Sequence, residues 1–215
     1  MDWDVDKLSK SEVSKLLHST VVPRPIALVT TLDDQGRVNA APFSFFNVMS
    51  TSPALLALGV TGNEKVAGEP KDTRRNVTAS GELVVSLVDE SMVHQMNVCG
   101  IEFPGGVEEP QMAGLQLLPS VRVAPPRIAM SPVQFECKLH TQIPTGPSGA
   151  ILICEIVHIH VRDDLVNERF HIDIEKLALI ARMHGNGWYA RTSDRFQVER
   201  IPLEKWPVAP PDRPA

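Results

Sequence analysis

Cysteine is scarce in this chain, with only three copies among 215 residues. Cys99, Cys137 and Cys154 are far apart, odd in number, and never in a CxxC arrangement. A framework of disulfides would need paired cysteines in a secreted context. We therefore expect three reduced thiols that mostly fill the core of a cytoplasmic protein.

Long apolar runs and excess positive charge are also missing. No run approaches the roughly 20 residues of a membrane span, and the N-terminal segment lacks the apolar stretch of a signal peptide. Lys and Arg number 21 against 26 Asp and Glu, giving a net charge of -5. This balance argues against partners that are nucleic acid or membrane surface. With 43% hydrophobic residues, the chain fits one domain over residues 1–215 with a substantial core.

The common signatures of nucleotide-binding and hydrolytic folds are absent from the sequence. No GxGxxG follows a strand-like run, and there is no Walker motif, so neither a Rossmann site nor a P-loop is supported. No GxSxG elbow or cysteine signature indicates nucleophilic catalysis. His158 and His160 would share one strand face and can be read as metal ligands or as a solvated face. Because no third ligand is evident, we predict a solvated strand face and no metal site. Because no nucleophile signature is present, we also predict no catalytic side chain.

Strand-like runs dominate the chain. A capping box of Ser9 and Glu12 predicts an N-terminal helix at about 10–18, and the C-terminal 202–215 is a Pro-rich tail. Further helices are expected from residue 71 to Gly81, at 91–98 and at 172–180. Strands are expected at 26–31, 38–42, 54–60, 83–88, 133–139 and 151–161, and the glycine-rich turn at 185–187 is expected to break the chain before 188–191. In the run at 133–139, Gln134, Glu136 and Lys138 alternate with apolar residues, which is typical of a half-buried strand. The absence of a βαβ rhythm favours an antiparallel sheet closed into a barrel, with a few helices outside.

The segment 39–60 carries the clearest functional signal. Its middle places small hydroxyl and amide side chains between aromatic ones, at intervals that fit neither a helix nor a strand. Buried polar groups need partners, so a segment that served only for packing would not be built this way. A site for a flat ligand with polar edges would use such residues. We therefore expect this segment to line a cofactor site.

A second candidate feature is the start of the helix at residue 71. The first turn of a helix presents free N–H groups and the positive end of the dipole, which suits a phosphate. Lys71 and the Thr73 hydroxyl would reinforce this seat, and the alternative is a basic, solvated helix start. The negative charge of Asp72 would repel an anion unless its carboxylate caps the helix. Either Asp72 or Thr73 can serve as the cap.

A third feature is the stretch HGNGWYAR at 184–191, near the C-terminus. It combines aromatic rings, a flexible turn and charge, and it can be a lid over a ligand or an ordinary packed loop. The segments PRPIALVTT, NAAPFSFFNVMSTSP and KDTRRN precede it in the chain, followed by GLQLLPS and SPVQFECKL. Together these six segments resemble the flavin reductase-like, FMN-binding split-barrel proteins in order and spacing, over about residues 19–201.

The resemblance implies a mainly β fold, an antiparallel Greek-key split barrel, assembled as a homodimer with FMN near the subunit interface. It implies three groups of cofactor contacts: the ring and ribityl chain, the phosphate, and the C-terminal loop. The ring and ribityl chain would be bordered by Ser44, Phe45, Asn47, Val48, Met49 and Ser50. The phosphate would lie near Lys71, Asp72 and Thr73, and the C-terminal loop would contribute Tyr189 and Arg191. Arg24 matches the PRP segment without an assigned role, and His184 stands where many relatives have glycine.

The implied activity is hydride transfer from NAD(P)H to FMN, with the flavin carrying the chemistry. Reduced flavin would pass electrons to oxygen, a partner monooxygenase or another acceptor. Two alternatives stay open, namely a flavoredoxin-like electron carrier and a noncatalytic flavin-binding protein. The sequence does not choose between NADH and NADPH.

Overall fold

The computed structural model describes residues 1–62, 68–185 and 187–206. Its helices are α1 (Lys10–Thr20), α2 (Asp72–Ser80), α3 (Val93–Val98), α4 (Glu109–Met112) and α5 (Ile174–Leu177). Its strands are β1 (Arg24–Pro25), β2 (Ala27–Leu32), β3 (Val38–Phe43), β4 (Phe46–Thr51), β5 (Ala54–Val60), β6 (Glu82–Leu87), β7 (Leu117–Leu118), β8 (Arg127–Ile128), β9 (Val133–Pro144), β10 (Ala150–Val161), β11 (Ile180–Arg182) and β12 (Tyr189–Arg191).

One large sheet organises the molecule. It has seven strands in the order β3-β2-β6-β9-β10-β5-β4, and every neighbouring pair is antiparallel. Strands β1, β11 and β12 form a separate three-stranded sheet, and β7 pairs with β8. The predicted mainly β, antiparallel architecture with few helices is therefore confirmed.

The main sheet is covered on both faces in its centre. Successive side chains of a strand point to opposite faces, and on β2 both sets are buried. Ala27 and Val29 belong to one core cluster, whereas Leu28 belongs to a second cluster with Ile26 and residues of α3. This explains why β2 is a continuous apolar run rather than an alternating one. Each of the three cysteines is free and buried, as expected from the sequence.

The strand β4 was not predicted. Phe46 is buried, but Asn47, Val48 and Met49 are all exposed, so the segment lacks the alternation that identifies a strand. A register shift between Val48 and Ser50 breaks the pairing with β5 and disturbs the pattern further. The predicted irregular middle of segment 39–60 is thus an edge strand with a bulge.

The predicted helix at 172–180 is wrong for most of its length. Only Ile174–Leu177 is helical, and Ala178 ends it with a left-handed φ of 46°. Ile180 already pairs with Arg191 in the β11–β12 hairpin. Leu179 forms an isolated bridge with Asp89 and Ile180 begins β11, pairings with distant residues that local periodicity does not reveal. No helix in the described ranges has the length and apolar character to cross a bilayer.

The N-terminal helix begins as predicted and ends two residues later. The Ser9 hydroxyl accepts a hydrogen bond from the Glu12 N–H at 3.3 Å, and Glu12 Oε2 accepts from the Ser9 N–H at 2.8 Å. This reciprocal pair is the expected capping box.

The two helices α1 and α2 begin differently. In α2 the N-cap residue is Lys71, and no side chain caps this end. The prediction that Asp72 or Thr73 caps α2 is therefore wrong, since both lie inside its first turn. Gly81 ends α2 in the left-handed region, with φ 73°, where glycine carries no Cβ penalty.

The polar face of β9 is solvated at Lys138 but not at Gln134 and Glu136, where the alternating pattern also predicted exposure. Gln134 is buried and the Glu136 side chain is 0% exposed. Glu136 accepts hydrogen bonds from the backbone N–H groups of Val121 (2.8 Å) and Arg122 (2.5 Å). The segment at 119–126 covers this face and supplies donors that satisfy the buried carboxylate.

The solvated-face prediction also fails for His160. Its Nε2 lies 2.6 Å from Glu136 Oε1, and its side chain is largely buried. The shared face is confirmed, because the rings of His158 and His160 are 4.6 Å apart. Among the described residues, no cluster of three or more His, Cys, Asp or Glu side chains is arranged to hold a metal ion.

Candidate functional site

Three adjoining cavities meet where β3 ends. Pro42 and Phe43 line all three, so we treat them as one groove. The helix cavity (about 650 Å³) lies against the inner side of α1 and reaches Phe45 and Lys71. The arginine cavity (about 550 Å³) lies between α1, α3 and the β11–β12 hairpin. The Lys71 cavity (about 490 Å³) lies at the start of α2.

Phe45 and His18 form an aromatic wall of the helix cavity. Their rings are stacked, with centroids 5.2 Å apart and 8° between the planes. Ser14 Oγ lies 3.0 Å from His18 Nδ1 and fixes the imidazole. Phe45 in turn depends on Gly59, because a Cβ there would lie 2.9 Å from Phe45 Cβ. The Gly59 N–H also donates to the Phe45 carbonyl at 2.7 Å, so backbone and ring are held together.

Arg24 lies at the junction of the groove walls. It is only 5% exposed, and its guanidinium donates to four uncharged acceptors, none of which neutralises its positive charge. Nε donates to Ser44 Oγ at 3.2 Å, Nη1 to the carbonyls of His18 (2.8 Å) and Val21 (2.9 Å), and Nη2 to the carbonyl of Met183 (3.1 Å). Burial, and secondarily the positive charge of Arg182, lower the pKa of the Arg24 guanidinium. Arg24 thus fixes Ser44 relative to α1 and the C-terminal hairpin.

Arg182 and Tyr189 form the opposite wall of the arginine cavity. They are partners across the β11–β12 hairpin, and Arg182 Nη1 donates to the Tyr189 hydroxyl at 2.7 Å. The Arg182 guanidinium carbon also lies 4.9 Å from the Tyr189 ring centre, close enough for a cation–π contact. Arg182 Nη2 donates to the Gly185 carbonyl at 3.0 Å, which ties the hairpin turn to the cavity.

The start of α2 has the features of an anion seat. Among the described residues no side chain caps its N-terminus, so within this part of the chain the N–H groups of the first turn have no side-chain acceptor. The Thr73 Oγ accepts a hydrogen bond from Asn39 Nδ2 at 3.1 Å, which leaves the hydroxyl hydrogen free to be donated elsewhere. Asp72 forms an ion pair with Arg75 instead of capping the helix.

The Glu109 carboxylate, which lies near this seat, has a hydrogen-bond partner of its own. Glu109 Oε2 accepts from the Ala40 N–H at 3.0 Å. Burial raises the Glu109 pKa more than this bond lowers it. Burial, with a smaller contribution from Glu109, raises the pKa of the neighbouring Cys99 thiol to about 12. A thiol with that pKa is not a nucleophile near neutral pH.

The groove gathers six of the predicted contact residues. Ser44 lines the helix and arginine cavities, Phe45 the helix cavity, and Tyr189 the arginine cavity. Lys71, Asp72 and Thr73 line the Lys71 cavity. The other five predicted residues, within the described part of the chain, line none of the three cavities: Asn47, Val48, Met49, Ser50 and Arg191.

These five residues, which do not line the groove, lie elsewhere on the molecule. The β4 residues lie on the edge strand of the main sheet, where Val48 is 48% and Met49 is 58% exposed. Arg191 lies at the far end of β12, and its guanidinium pairs with the Glu90 carboxylate at 2.7 and 2.5 Å. A role of Arg191 in the groove is therefore not supported by its position in one chain.

Sequence reasoning missed several groove residues: Lys15, His18, Met96, Asn97 and Arg182. One signal for His18 was available, since Ser14 and His18 are four residues apart on a predicted helix and share a face. The hydrogen bonds of Arg24 and Arg182 carried no local signal. His184 stacks on Trp188, with ring centroids 6.0 Å apart, so it packs within the hairpin turn.

Comparison with known proteins identifies the class that this fold and groove define. The profile described as "Flavin reductase like domain" matches residues 18–186, well over half of the chain. The chain therefore belongs to the flavin reductase-like family, and the predicted resemblance is confirmed.

Particular relatives agree with this assignment. An uncharacterised protein of Halalkalibacterium halodurans is 42% identical over 205 residues, covering 93% of this chain and 96% of that protein. The crystal structure of nitrilotriacetate monooxygenase component B from Bacillus cereus is 32% identical, with a TM-score of 0.87, covering 92% of this chain and 98% of that one. A structure with a split barrel domain from Shewanella frigidimarina NCIMB 400 has a TM-score of 0.76 at 19% identity, covering 94% and 98% of the two chains. The last of these shows the fold alone.

Proposed function

We propose that this protein is an FMN-dependent flavin reductase that takes hydride from NAD(P)H and passes electrons to oxygen, a partner monooxygenase or another acceptor. The observation that carries the proposal is the continuous groove between the start of α2 and the Phe45 wall. A flavin needs a phosphate seat and a flat, partly apolar surface at opposite ends of one cavity. Membership of the flavin reductase-like family supports the same function.

The residues at the start of α2 fit a phosphate. Lys71 supplies a positive charge, the uncapped first turn supplies N–H donors, and Thr73 has a hydroxyl hydrogen to donate. The carboxylates of Asp72 and Glu109 are turned to Arg75 and Ala40, respectively. Each of these acidic groups is therefore engaged within the protein.

The wall formed by Ser44, Phe45 and His18 fits a flat ring with polar edges. Phe45 and His18 present aromatic surface, and Arg24 holds the Ser44 hydroxyl at the corner of the groove. A bound flavin would supply the redox chemistry, accepting hydride at N5 and releasing electrons to an acceptor. The protein has only to bind the ring, orient it and leave one face accessible, so no acid–base pair is required.

We also propose a homodimer that works in the cytoplasm. Val48 and Met49 are exposed on β4, beside the groove residue Phe45. Apolar side chains on an unpaired strand edge are suited to contact with a second copy. Such a contact would let Asn47, Val48, Met49 and Ser50 border the flavin at a subunit interface. Three buried free thiols suit a reducing compartment.

Two measurements on the purified protein test the activity. The absorption spectrum should show the flavin bands after loading with FMN, and mixing with NADH or NADPH in a stopped-flow instrument should bleach them. Bleaching by either nucleotide supports the reductase. Bound flavin that neither nucleotide bleaches would overturn it, and tight retention of chemically reduced FMN would then favour the flavoredoxin-like carrier.

A double variant tests the phosphate seat. Lys71→Ala with Thr73→Ala should weaken FMN binding by about 100-fold, because two contacts to a charged group are lost. The matched control is Lys138→Ala with Thr141→Ala, two exposed residues of β9 outside the groove. Unchanged FMN affinity in the first variant would show that the phosphate binds elsewhere.

A further inference from the structure

The arginine cavity has an unusual balance of charge. Three cationic side chains line it (Lys15, Arg24 and Arg182), and the imidazole of His18 adds a further hydrogen-bonding group. Among the described residues around this cavity, none is Asp or Glu. The chain as a whole has a net charge of -5, so this concentration of positive charge is local and does not follow from composition.

The neighbouring Lys71 cavity shows the contrast. Four acidic residues line it together with Lys71 and Arg75, and Arg75 is already paired with Asp72. Each of these two cavities is about 500 Å³, and of the two only the arginine cavity has cations without carboxylates. The helix cavity also lacks carboxylates among its described lining residues, but its cations are the two lysines Lys10 and Lys71, whereas the arginine cavity has two guanidinium groups. An anion that can accept paired hydrogen bonds is therefore best matched by the arginine cavity.

The two guanidinium groups of this cavity lack negative partners. Arg182 donates to the Tyr189 hydroxyl and the Gly185 carbonyl, and Arg24 donates to one hydroxyl and three carbonyls. Within the described ranges neither forms an ion pair with Asp or Glu. Burial, and after it the positive charge of Arg182, lower the pKa of the Arg24 guanidinium. Partly buried like charges are favoured only when an anion compensates them.

We propose that the arginine cavity binds the anionic group, a carboxylate or a phosphate, of a second ligand that exchanges electrons with the flavin. The inference rests on the proposed function. The fork of Arg182 suits a planar or tetrahedral anion, and Lys15 adds a charge from α1. The other walls, Ile26, Phe43 and Met96, are apolar and suit a ring attached to that anion. Arg182 is thus a specificity-determining residue for the electron donor or acceptor.

The test measures binding rather than turnover. Isothermal titration calorimetry compares the affinity for benzoate with that for its neutral counterpart benzamide. Both are measured in the absence and in the presence of saturating FMN. NADH is titrated in the same way against reduced nicotinamide riboside, which lacks phosphate; for these two probes the FMN is reduced chemically beforehand under anaerobic conditions, so that no hydride is transferred. The variant is Arg182→Gln, and the matched control is Arg169→Gln, an exposed arginine outside the groove. Lys15→Gln, on the exposed side of α1, is a second variant that leaves the hairpin intact.

We expect one anionic probe to bind about tenfold or more tightly than its neutral counterpart. Arg182→Gln should remove most of this preference, Lys15→Gln part of it, and Arg169→Gln none of it. A loss confined to benzoate identifies a carboxylate ligand, and a loss confined to NADH identifies the donor phosphate. An unchanged preference in both groove variants would overturn the proposal.

FMN itself provides the remaining distinction. The arginine cavity would hold the flavin phosphate if two results were obtained together. Saturating FMN would abolish the binding of both anionic probes, and Arg182→Gln would weaken FMN binding while the Lys71 and Thr73 double variant would not. That result would overturn the second-ligand site. Anion preference that is retained in a protein unable to oxidise NAD(P)H would refute the reductase and leave the anion site standing.

Discussion

Arg24 illustrates how much of the site depends on single residues with distant partners. It reaches three neighbouring parts of the groove wall, namely the end of α1, Ser44 and the segment at Met183. A guanidinium can serve all of them because it has five N–H donors in a fixed plane. The sequence revealed only that Arg24 lies in a PRP segment, since its partner Met183 is 159 residues away. Its role is to position groove walls.

The substitution Arg24→Lys should therefore be costly although it keeps the charge. One ammonium group has three N–H donors on a single atom and cannot satisfy four separate acceptors, so at least one of them would lose its donor. We expect the free energy of unfolding to fall by about 2–4 kcal/mol and FMN affinity to fall with it. Urea unfolding followed by circular dichroism measures the first effect and fluorescence titration the second.

The matched control for this substitution is Arg169→Lys, at an exposed position. It should change the free energy of unfolding by less than about 0.5 kcal/mol. If Arg24→Lys behaved like this control, the four hydrogen bonds would not be what fixes the groove.

At the scale of elements, the close approach of β5 to Phe45 sets the shape of the helix cavity. Gly59 of β5 leaves room for the Phe45 Cβ, which a methyl group would approach to 2.9 Å. Gly59→Ala should displace Phe45 from its stack on His18. We expect a loss of about 1–3 kcal/mol in FMN binding, as is typical of overpacking, measured by titration of flavin fluorescence.

The control for Gly59 is Thr141→Ala, at an exposed position of β9 outside the groove. The melting temperature of both variants separates a local shift of Phe45 from general destabilisation. Wild-type FMN affinity in Gly59→Ala would mean that the position of Phe45 does not matter for binding.

A second element-level feature is the attachment of the segment at 119–126 to β9 through Glu136. Burial raises the Glu136 pKa, but hydrogen bonds from His160, Val121 and Arg122 outweigh it, so the pKa lies below the ordinary 4.5. The folded state thus binds this proton less readily than the unfolded chain. The resulting stabilisation is complete above pH 4.5 and is lost as the pH falls through the lower, folded-state value.

Glu136→Gln should accordingly destabilise the protein by about 1–3 kcal/mol at pH 7, because an amide cannot accept all three hydrogen bonds. The difference from wild type should shrink between pH 4.5 and pH 3. Urea titrations at pH 7, 5, 4 and 3 measure this, with Glu155→Gln on the exposed face of β10 as control. A difference that stayed constant over this range would contradict the assigned role of the Glu136 charge.

Elements could be predicted from sequence where one periodic pattern sufficed. The run at 54–60 and the capping box of α1 are local signals, and the structure has Ala54–Val60 and Lys10–Thr20. Prediction failed where tertiary contacts decided the outcome. Glu136 looks solvent-facing until the segment at 119–126 covers it, and β4 looks irregular because only one of its side chains is buried.

The residues of the candidate site likewise include some that local patterns reveal and others that only tertiary contacts bring together. Lys71 and Thr73 were found because a helix start is a local feature, whereas Arg182 needed the hairpin and α1 to be brought together. Short-range patterns therefore pointed to the proposed phosphate seat. They could not locate the cavity for a second ligand, whose walls come from four distant parts of the chain.

At the scale of the whole molecule, the two edges of the main sheet are treated differently. On the edge strand β3, Glu108 accepts from the Val38 N–H at 2.7 Å, and Glu109 accepts from the Ala40 N–H at 3.0 Å. Carboxylates thus occupy donors that would otherwise pair with another strand. The other edge strand, β4, has β5 as its one strand partner within residues 1–62, 68–185 and 187–206, and it exposes Val48 and Met49. One edge is protected and the other is available for a second copy.

This asymmetry leads to a prediction about assembly. The wild-type chain should sediment as a dimer, and Met49→Glu should shift it to a monomer, because a charge buried in an apolar contact is costly. Ile143→Glu is the matched control, since Ile143 is 52% exposed on β9 away from the β4 edge. Analytical ultracentrifugation gives the mass, and FMN titration of the same samples shows whether the monomer binds flavin more weakly. A wild-type monomer, or a Met49→Glu dimer with unchanged FMN affinity, would place the subunit contact or the flavin away from β4.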